Sequence, residues 1–495
     1  MRFREKLFLK LLHSQQLAES MKFSEWKVFL YTSVGVLLVF SNMTTMDVAL
    51  PSIVRYFNAS PTQANWILLG YMLTNTIMIL AFGRLADILG RKKLYLLGIA
   101  IATFASLGCG LAWSANSLIV FRIIQAFGAA SVVTNTTALL VDAYPPQRMS
   151  LVLGLNVTVA AGSSICGPLI GGALVSTLGW RALFLAGVPL GLYSLIAGPK
   201  LLRTRAINSR EKFDLAGTLL SLIALGTIVF ALSEGGTLGW TSKGIISCFG
   251  AAVMTGIIFV QVQRKRTHPL IDLSILQDPN LILAYYGNFV MAVVQMATLL
   301  LISLFVQAAF GLDALAAGIR ITPLAGGLMA SSGVAARLIG KIAPHKVAAG
   351  GMGFITFGLF CMAIQFTGAI HQSILMASMA IIGVGIGLFM TPNTTSIMSS
   401  VTSERRGIAN GLRSMMQNMG FVVGAALSLA IVTSPLDLAG KQAVYSGKSA
   451  ELSAHQLGLF HSQYHVAFMW LAGLACSAVV ACLLRKVSSR VVAST

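Results

Sequence analysis

Gly83-Arg84-Leu85-Ala86-Asp87-Ile88-Leu89-Gly90-Arg91-Lys92-Lys93 lies between two long apolar runs. Charges are expensive beside a bilayer, so a basic cluster hinged on two glycines marks a short loop held on one side of a membrane. The flanking runs, 64–86 and 94–113, have the length of about 20 residues that a helix needs to cross hydrocarbon.

Working outward from this turn, the chain holds further runs of the same kind at 28–50, 117–140, 150–175, 181–199, 214–233, 244–263, 281–310, 316–339, 347–367, 373–399, 408–434 and 463–484. In hydrocarbon the backbone polar groups must be satisfied within the segment, so all fourteen runs are expected to be helices. Composition agrees. The 495 residues are 56% hydrophobic and only 10% charged, with mean hydropathy +0.81, whereas soluble domains are about 25% charged. The fold class expected is therefore an all-α membrane protein.

The formal charge of +20 raises nucleic acid as a partner, but no basic stretch carries a reading motif. Basic residues gather in the cytoplasmic loops of membrane proteins instead. With the N-terminus placed inside, 28 of the 35 Lys and Arg fall in inside segments and six outside, leaving Arg122 within a span. Both termini are thus expected to be cytoplasmic. No cleavable leader is evident, and the outer stretch 435–462 reads as a long polar, mobile loop.

The six cysteines lie in apolar runs without metal-ligand spacing, and they read as buried thiols. No phosphate-binding glycine loop or catalytic cluster stands out, so neither an enzyme, a metal site nor a cofactor is expected.

An internal repeat is present. Arg84-Leu85 recurs as Arg337-Leu338, and Gly167, Gly171, Ala173 and Leu174 recur at the same spacing as Gly420, Gly424, Ala426 and Leu427. Duplication of this kind is typical of transporters that rock two bundles about a central site. The expected layout is a tail (1–27), a six-helix bundle (28–203), a linker with two additional transmembrane helices (204–280), a second six-helix bundle (281–485) and a tail (486–495).

Ionisable groups within spans are functional candidates by default. Asp47 lies within the first span, with Asn42 about one turn below and Pro51 above. It reads as a reversible proton carrier; the alternative is a solvated, structural carboxylate near the outer mouth. Arg122 and Gln125, three apart, share a helix face, and Asp47 is the expected partner of Arg122. A structural tie to backbone carbonyls is the alternative. Gly162, Gly167, Pro168, Gly171 and Gly172 make a small-residue, bent stretch suited to a tight seal between two halves. Asp87 could cap the start of the thirteenth span, and Asp142 could pair with Arg91; with Gly83 and Gly90 these form a conformational latch. Tyr71, Asn75, Asn135, Asn288, Gln295, Asn393 and Gln417 join Asn42 and Gln125 as lining for a cavity of mixed polarity.

At these residues the chain resembles the major facilitator superfamily, specifically its fourteen-span drug:proton antiporter branch. Gly83-x-Leu85-Ala86-Asp87-x-x-Gly90-Arg91-Lys92 is similar to the family's loop between spans two and three, with Ile88 where a basic residue is usual. Arg122-x-x-Gln125-x-x-Gly128 is similar to the fourth-span signature, with Ala126 where glycine is usual. Gly162 through Gly172, followed by Leu178-Gly179-Trp180-Arg181, is similar to the fifth-span antiporter signature. The first span departs from the pattern: Asn42 and Asp47 stand as though the family's aspartate and asparagine were exchanged.

The resemblance implies a major facilitator fold, two pseudo-symmetric six-helix bundles plus two inserted transmembrane helices. It implies a monomer in the plasma membrane that exports amphipathic small molecules, cationic or neutral, against protons by alternating access. Its partners are then the cargo, protons and the lipid bilayer. Other readings are a specific metabolite or antibiotic exporter, a proton-coupled importer, and a non-transporting receptor or scaffold.

Overall fold

The computed structural model describes residues 23–144, 146–202, 214–266, 277–339, 341–368, 370–401, 406–447 and 453–485. Among them the chain is helical, without strands. A first group comprises α1 (Phe23–Thr44), α2 (Met46–Phe57), α3 (Pro61–Leu89), α4 (Arg91–Gly110), α5 (Ala115–Ala143), α6 (Pro146–Leu178), α7 (Arg181–Leu185) and α8 (Val188–Leu201). Next comes a hairpin, α9 (Leu215–Leu238) and α10 (Lys243–Lys265). A second group comprises α11 (Pro279–Ala309), α12 (Ala314–Leu338), α13 (Pro344–Gln365), α14 (Gln372–Ser399), α15 (Arg406–Thr433), α16 (Leu438–Tyr445) and α17 (Ala454–Leu484).

Each of the fourteen expected runs coincides with helix. Twelve helical stretches among the described residues are long and apolar enough to cross a membrane. The runs 64–86 and 150–175 lie within α3 and α6, of 29 and 33 residues. Two runs are interrupted. The first breaks at Thr45 between α1 and α2, and the sixth is split into α7 and α8. Starts are set by side chains that accept orphan backbone N–H groups: Ser60 and Gln63 cap α3 reciprocally, as Ser114 and Ser117 cap α5, and Asp313 caps α12. α10 leaves most of its apolar surface uncovered, including Ile246, Val253, Met254 and Ile257. Such a surface is suited to an apolar surrounding such as lipid.

Within the first group α5 packs on α3 and α4; within the second, α14 packs on α12 and α13, and α11 on α15. The groups meet where α6 packs on α12, α3 on α15 and α2 on α11, and α9 lies against both α3 and α15. Small residues make the α6–α12 contact. A β-carbon on Gly172 would lie 2.5 Å from the Ala314 carbonyl oxygen, and one on Gly318 would lie 2.5 Å from that of Pro168. Neither helix tolerates a side chain at these points.

The stretch 435–462, expected to be polar and mobile, instead contains α16, a short helix packed across the end of the molecule near α2. The Tyr445 hydroxyl donates to Asn65 Oδ1 at 2.6 Å, Gln442 Nε2 to the Ala59 carbonyl at 2.6 Å, and Arg55 Nη1 to the Ser446 carbonyl at 2.7 Å. Lys441 is buried there, and burial lowers its pKa while the Glu234 carboxylate of α9 opposes that effect. The apolar side chains of α16 supply the reason for the correction: Ala443, Val444 and Tyr445 are buried. Ser176 Oγ adds a 2.9 Å bond to Asp313 between α6 and the start of α12. Hydrogen bonds thus tie the two groups together at this end.

Gly172→Leu should force α6 away from α12. Spin labels at Thr177 and Leu312 should read a longer separation by pulsed dipolar spectroscopy than in the parent; an unchanged distance would refute a close-packed seal. Tyr445→Phe removes one buried hydrogen bond, worth about 1 kcal/mol. The same measurement should show roughly a fivefold rise in the population open at this end. An unaltered distribution would mean that α16 does not hold the end shut.

Candidate functional site

The site begins at a proline. Pro51 has no N–H to return to the carbonyl four residues earlier, which is that of Asp47. That free carbonyl accepts a hydrogen bond at 2.7 Å from Ser303 Oγ of α11, and Gln307 Nε2 donates to the neighbouring Val48 carbonyl at 3.2 Å. Asp47 therefore stands in the first turn of α2, where the two groups touch. Its side chain is 1% exposed, and neither carboxylate oxygen has a hydrogen-bond partner. The helix N-terminus supplies a partial positive charge there.

The glycines of α6 frame this break. A β-carbon on Gly167 would collide with Thr44 Oγ1, and one on Gly171 would lie 2.7 Å from Thr45 Cβ. Gly162 faces open space. The expected seal is thus divided: Gly167 and Gly171 admit α1 and α2, while Pro168 and Gly172 face α12. After Gly179, at φ +82°, Trp180 packs under Tyr56 and Phe57, with the Arg181 guanidinium 4.5 Å from the Tyr56 ring centre.

Arg122 is fully enclosed but does not pair with Asp47, contrary to expectation. Its guanidinium lies 4.1 Å over the Tyr71 ring, donates from Nη1 to Gln125 Oε1 at 2.8 Å, and reaches the Ile67 carbonyl from Nε at 3.5 Å. Gln125 Oε1, one turn along the same helix, and the Tyr71 face of α3 occupy the guanidinium. Gln125 Nε2 in turn donates to Ser106 Oγ at 2.7 Å and Asn42 Oδ1 at 3.3 Å. A chain of contacts thus runs from Asn42 through Gln125 to Arg122 and Tyr71. It borders a cavity of about 20 Å³ also lined by Gly35, Thr103 and Ser106, room for one water. Asn75 is buried nearby in sequence, with its Oδ1 unbonded.

The other expected cavity residues do not converge on this cluster. Asn135 Nδ2 returns to the Ser131 carbonyl at 2.8 Å, a bond within its own helix. Asn393 Nδ2 donates to the Ala284 carbonyl at 3.0 Å and its Oδ1 accepts from Arg485 at 2.8 Å, which makes it a helix tie. Gln295 is on α11, its Oε1 unbonded. Asn288 and Gln417 belong to a second cluster around Arg413, where Asn288 Nδ2 donates to the Arg413 carbonyl at 2.9 Å and Arg413 Nη1 to Gln417 Oε1 at 3.1 Å. In this structure the residues expected to line one cavity stand in separate polar clusters: Asn135 and Asn393 bond nearby carbonyls, while Asn75 and Gln295 each keep an unbonded oxygen.

Sequence reasoning missed Ser106, Ser303 and Arg413. Arg413 was assigned to the cytoplasmic charges, but it stands within an apolar stretch long enough to span. Its spacing of three and four from Asn410 and Gln417 was the available signal. Among the latch residues, Gly90 at φ +94° joins α3 to α4, a conformation that requires glycine. Arg91 Nη1 reaches both carboxylate oxygens of Asp142 at 3.0 Å, as expected. Lys92 Nζ donates to the Pro199 carbonyl at 2.8 Å. Gly83 faces Thr134 of α5. The Asp87 side chain lies outside the described residues, and with it the proposed cap on α15.

The model of the Major Facilitator Superfamily matches residues 32–425 and 284–490. The multidrug resistance protein Stp of Mycobacterium tuberculosis (strain CDC 1551 / Oshkosh) is 30% identical over 397 residues, covering 80% of this chain and 74% of Stp. The methylenomycin A resistance protein of Bacillus subtilis (strain 168) is 28% identical over 426 residues, 85% of this chain and 90% of that protein. The tetracenomycin C resistance and export protein of Streptomyces glaucescens is 27% identical over 411 residues, 83% and 76% of the two chains. A crystal structure of a bacterial homolog to the human lysosomal transporter Spinster, inward-facing and occupied, superposes with TM-score 0.63 at 16% identity, covering 94% of this chain and 97% of that one. The family match across the chain, the relatives and the shared fold agree: this chain belongs to the Major Facilitator Superfamily.

Proposed function

We propose that the chain is a proton-coupled exporter of amphipathic small molecules, with fourteen spans, both termini cytoplasmic, acting as a monomer in the plasma membrane. The resistance and export named for its relatives support the direction, as does the glycine stretch of α6. The bias of Lys and Arg supports the orientation. In that orientation the end closed by α16 is the outer one, and the turn at Gly90 is inner.

The observation that carries the reading is Asp47, buried without a partner at the contact between the halves. A charged carboxylate in that position costs several kcal/mol; a neutral one costs far less. Closure of the outer end thus favours the protonated acid. A proton taken from outside allows the outer end to close and the inner end to receive cargo. Loss of the proton inward makes the closed outer end costly, and the carrier returns outward with its load. Arg122, held by Gln125 and Tyr71, sets the local field through which the proton leaves. The membrane potential supplies about 2.3 kcal/mol per charge per 100 mV. A pH difference of one unit adds about 1.4 kcal/mol. Together these sustain a cargo gradient of a few hundredfold without ATP.

Asp47→Asn, reconstituted in vesicles, should abolish dye efflux driven by a pH gradient while its thermal midpoint stays within a few degrees of the parent. Fully retained pH-driven efflux would overturn the assignment. Arg122→Lys keeps the charge but loses the planar fork that bonds Gln125 while lying over Tyr71. Its turnover should fall at least tenfold, and an unchanged rate would remove Arg122 from the mechanism.

A further inference from the structure

We infer that the inserted hairpin is a working part of the outer gate: Glu234 of α9 clasps the first half at Thr62 and the second half at Lys441, and so holds the outer end shut. The inference rests on the alternating-access cycle proposed above and gives the two additional helices a role in it. Glu234 stands about one turn before Gly239, where the chain bends from α9 towards α10. It is 3% exposed, and Thr62 Oγ1 of α3 donates to its Oε2 at 3.0 Å. One turn further along both helices, the rings of Phe230 on α9 and Trp66 on α3 lie 6.3 Å apart. The two contacts run in opposite directions along the chain, so α9 and α3 are antiparallel and in register here. Within the hairpin, Trp240 packs back on Gly235, where a β-carbon would lie 2.5 Å from the indole. The level of Glu234 is therefore fixed both by α3 and by the hairpin's own bend.

The second half arrives through α16. Lys441 is 6% exposed at the same end, and a buried ammonium is costly without an opposing charge. The Glu234 carboxylate supplies that charge, and its field also reaches the Tyr445 hydroxyl. Tyr445 bonds Asn65 of α3, three residues on from Thr62. α3 thus presents Thr62 to the hairpin and Asn65 to α16, and one carboxylate serves both halves. α9 also packs along α15 of the second half. Opening the outer end draws α16 from α3 and takes Lys441 from the carboxylate. The cost of parting these charges adds to that of the Tyr445, Gln442 and Arg55 bonds, and it is set by a residue that belongs to neither half. A hairpin that served only as a spacer in lipid would gain nothing from a buried acid, which is costly in apolar surroundings.

The test uses the full chain in proteoliposomes with spin labels at Thr177 and Leu312. These sit at the other seam, where α6 meets α12, and so read opening of the whole outer end rather than a local shift beside α9. Glu234→Gln should raise the outward-open population at least fivefold, and Lys441→Gln should do the same. The two effects should not multiply, so the double variant should not exceed either single one. Exchanging the charges, Glu234→Lys with Lys441→Glu, should return the population to within twofold of the parent, a recovery that general loosening of the fold would not produce. A Glu234→Gln population equal to the parent's, a double variant that exceeds both singles, or an exchange that recovers nothing would overturn the clasp but leave the exporter standing. Thr62→Val keeps both charges and removes only the donor to the carboxylate. It should give a two- to threefold rise, and it decides the matter if a charge variant fails to insert: no rise would overturn the clasp. A parent with no outward-open population and no dye efflux under a pH gradient would overturn the exporter reading, and the inference with it.

Discussion

Pro51 cannot give an N–H, and the Asp47 carbonyl that it leaves free is taken by Ser303 from the opposite half of the molecule. Most of what is distinctive here depends on that bond. It lies just beyond the break at Thr45, in the first turn of the second helix, beside the acid that stands there. It also makes the backbone beside that acid a shared part of both halves. In lipid an orphaned carbonyl is costly, so the halves cannot separate at this level without another partner for it. In the proposed cycle the carboxylate next door is exposed or enclosed by the same movement.

Close approach supplies the complementary constraint. Gly167 and Gly171 admit Thr44 and Thr45, and Gly172 and Gly318 let α6 and α12 meet backbone to backbone. Hydrophobic burial contributes little to such contacts in a bilayer, because lipid tails are as apolar as the side chains they would replace. Shape and hydrogen bonds carry the association instead. The bonds from α16 to Asn65, Ala59 and Arg55 serve the same end of the molecule.

The helices and the family were legible in the sequence because hydrophobic length and loop charge are one-dimensional signals. Gly83 to Lys93 marked a short turn, and the structure puts Gly90 and Arg91 where such a turn needs them. The Arg91–Asp142 contact was also foreseen. Partner choice was less legible. Arg122 was expected to find Asp47 but is occupied by Gln125 three residues along, and Asn135 and Asn393 turn to nearby carbonyls. Which amide meets which carbonyl depends on rotation of packed helices, and a single sequence does not encode that visibly. The stretch 435–462 misled for a related reason: its polar average hid the short apolar face of Ala443, Val444 and Tyr445.

The hairpin α9–α10 has a consequence for what the membrane itself encounters. α9 lies along the seam between α3 and α15 and touches both, while α10 outside it is almost wholly uncovered by the rest of the protein. In the proposed alternating-access cycle, acyl chains on that flank would meet α9 rather than a widening crevice. The pair acts as a fender, and the two flanks of the carrier present unequal faces to molecules dissolved in the bilayer.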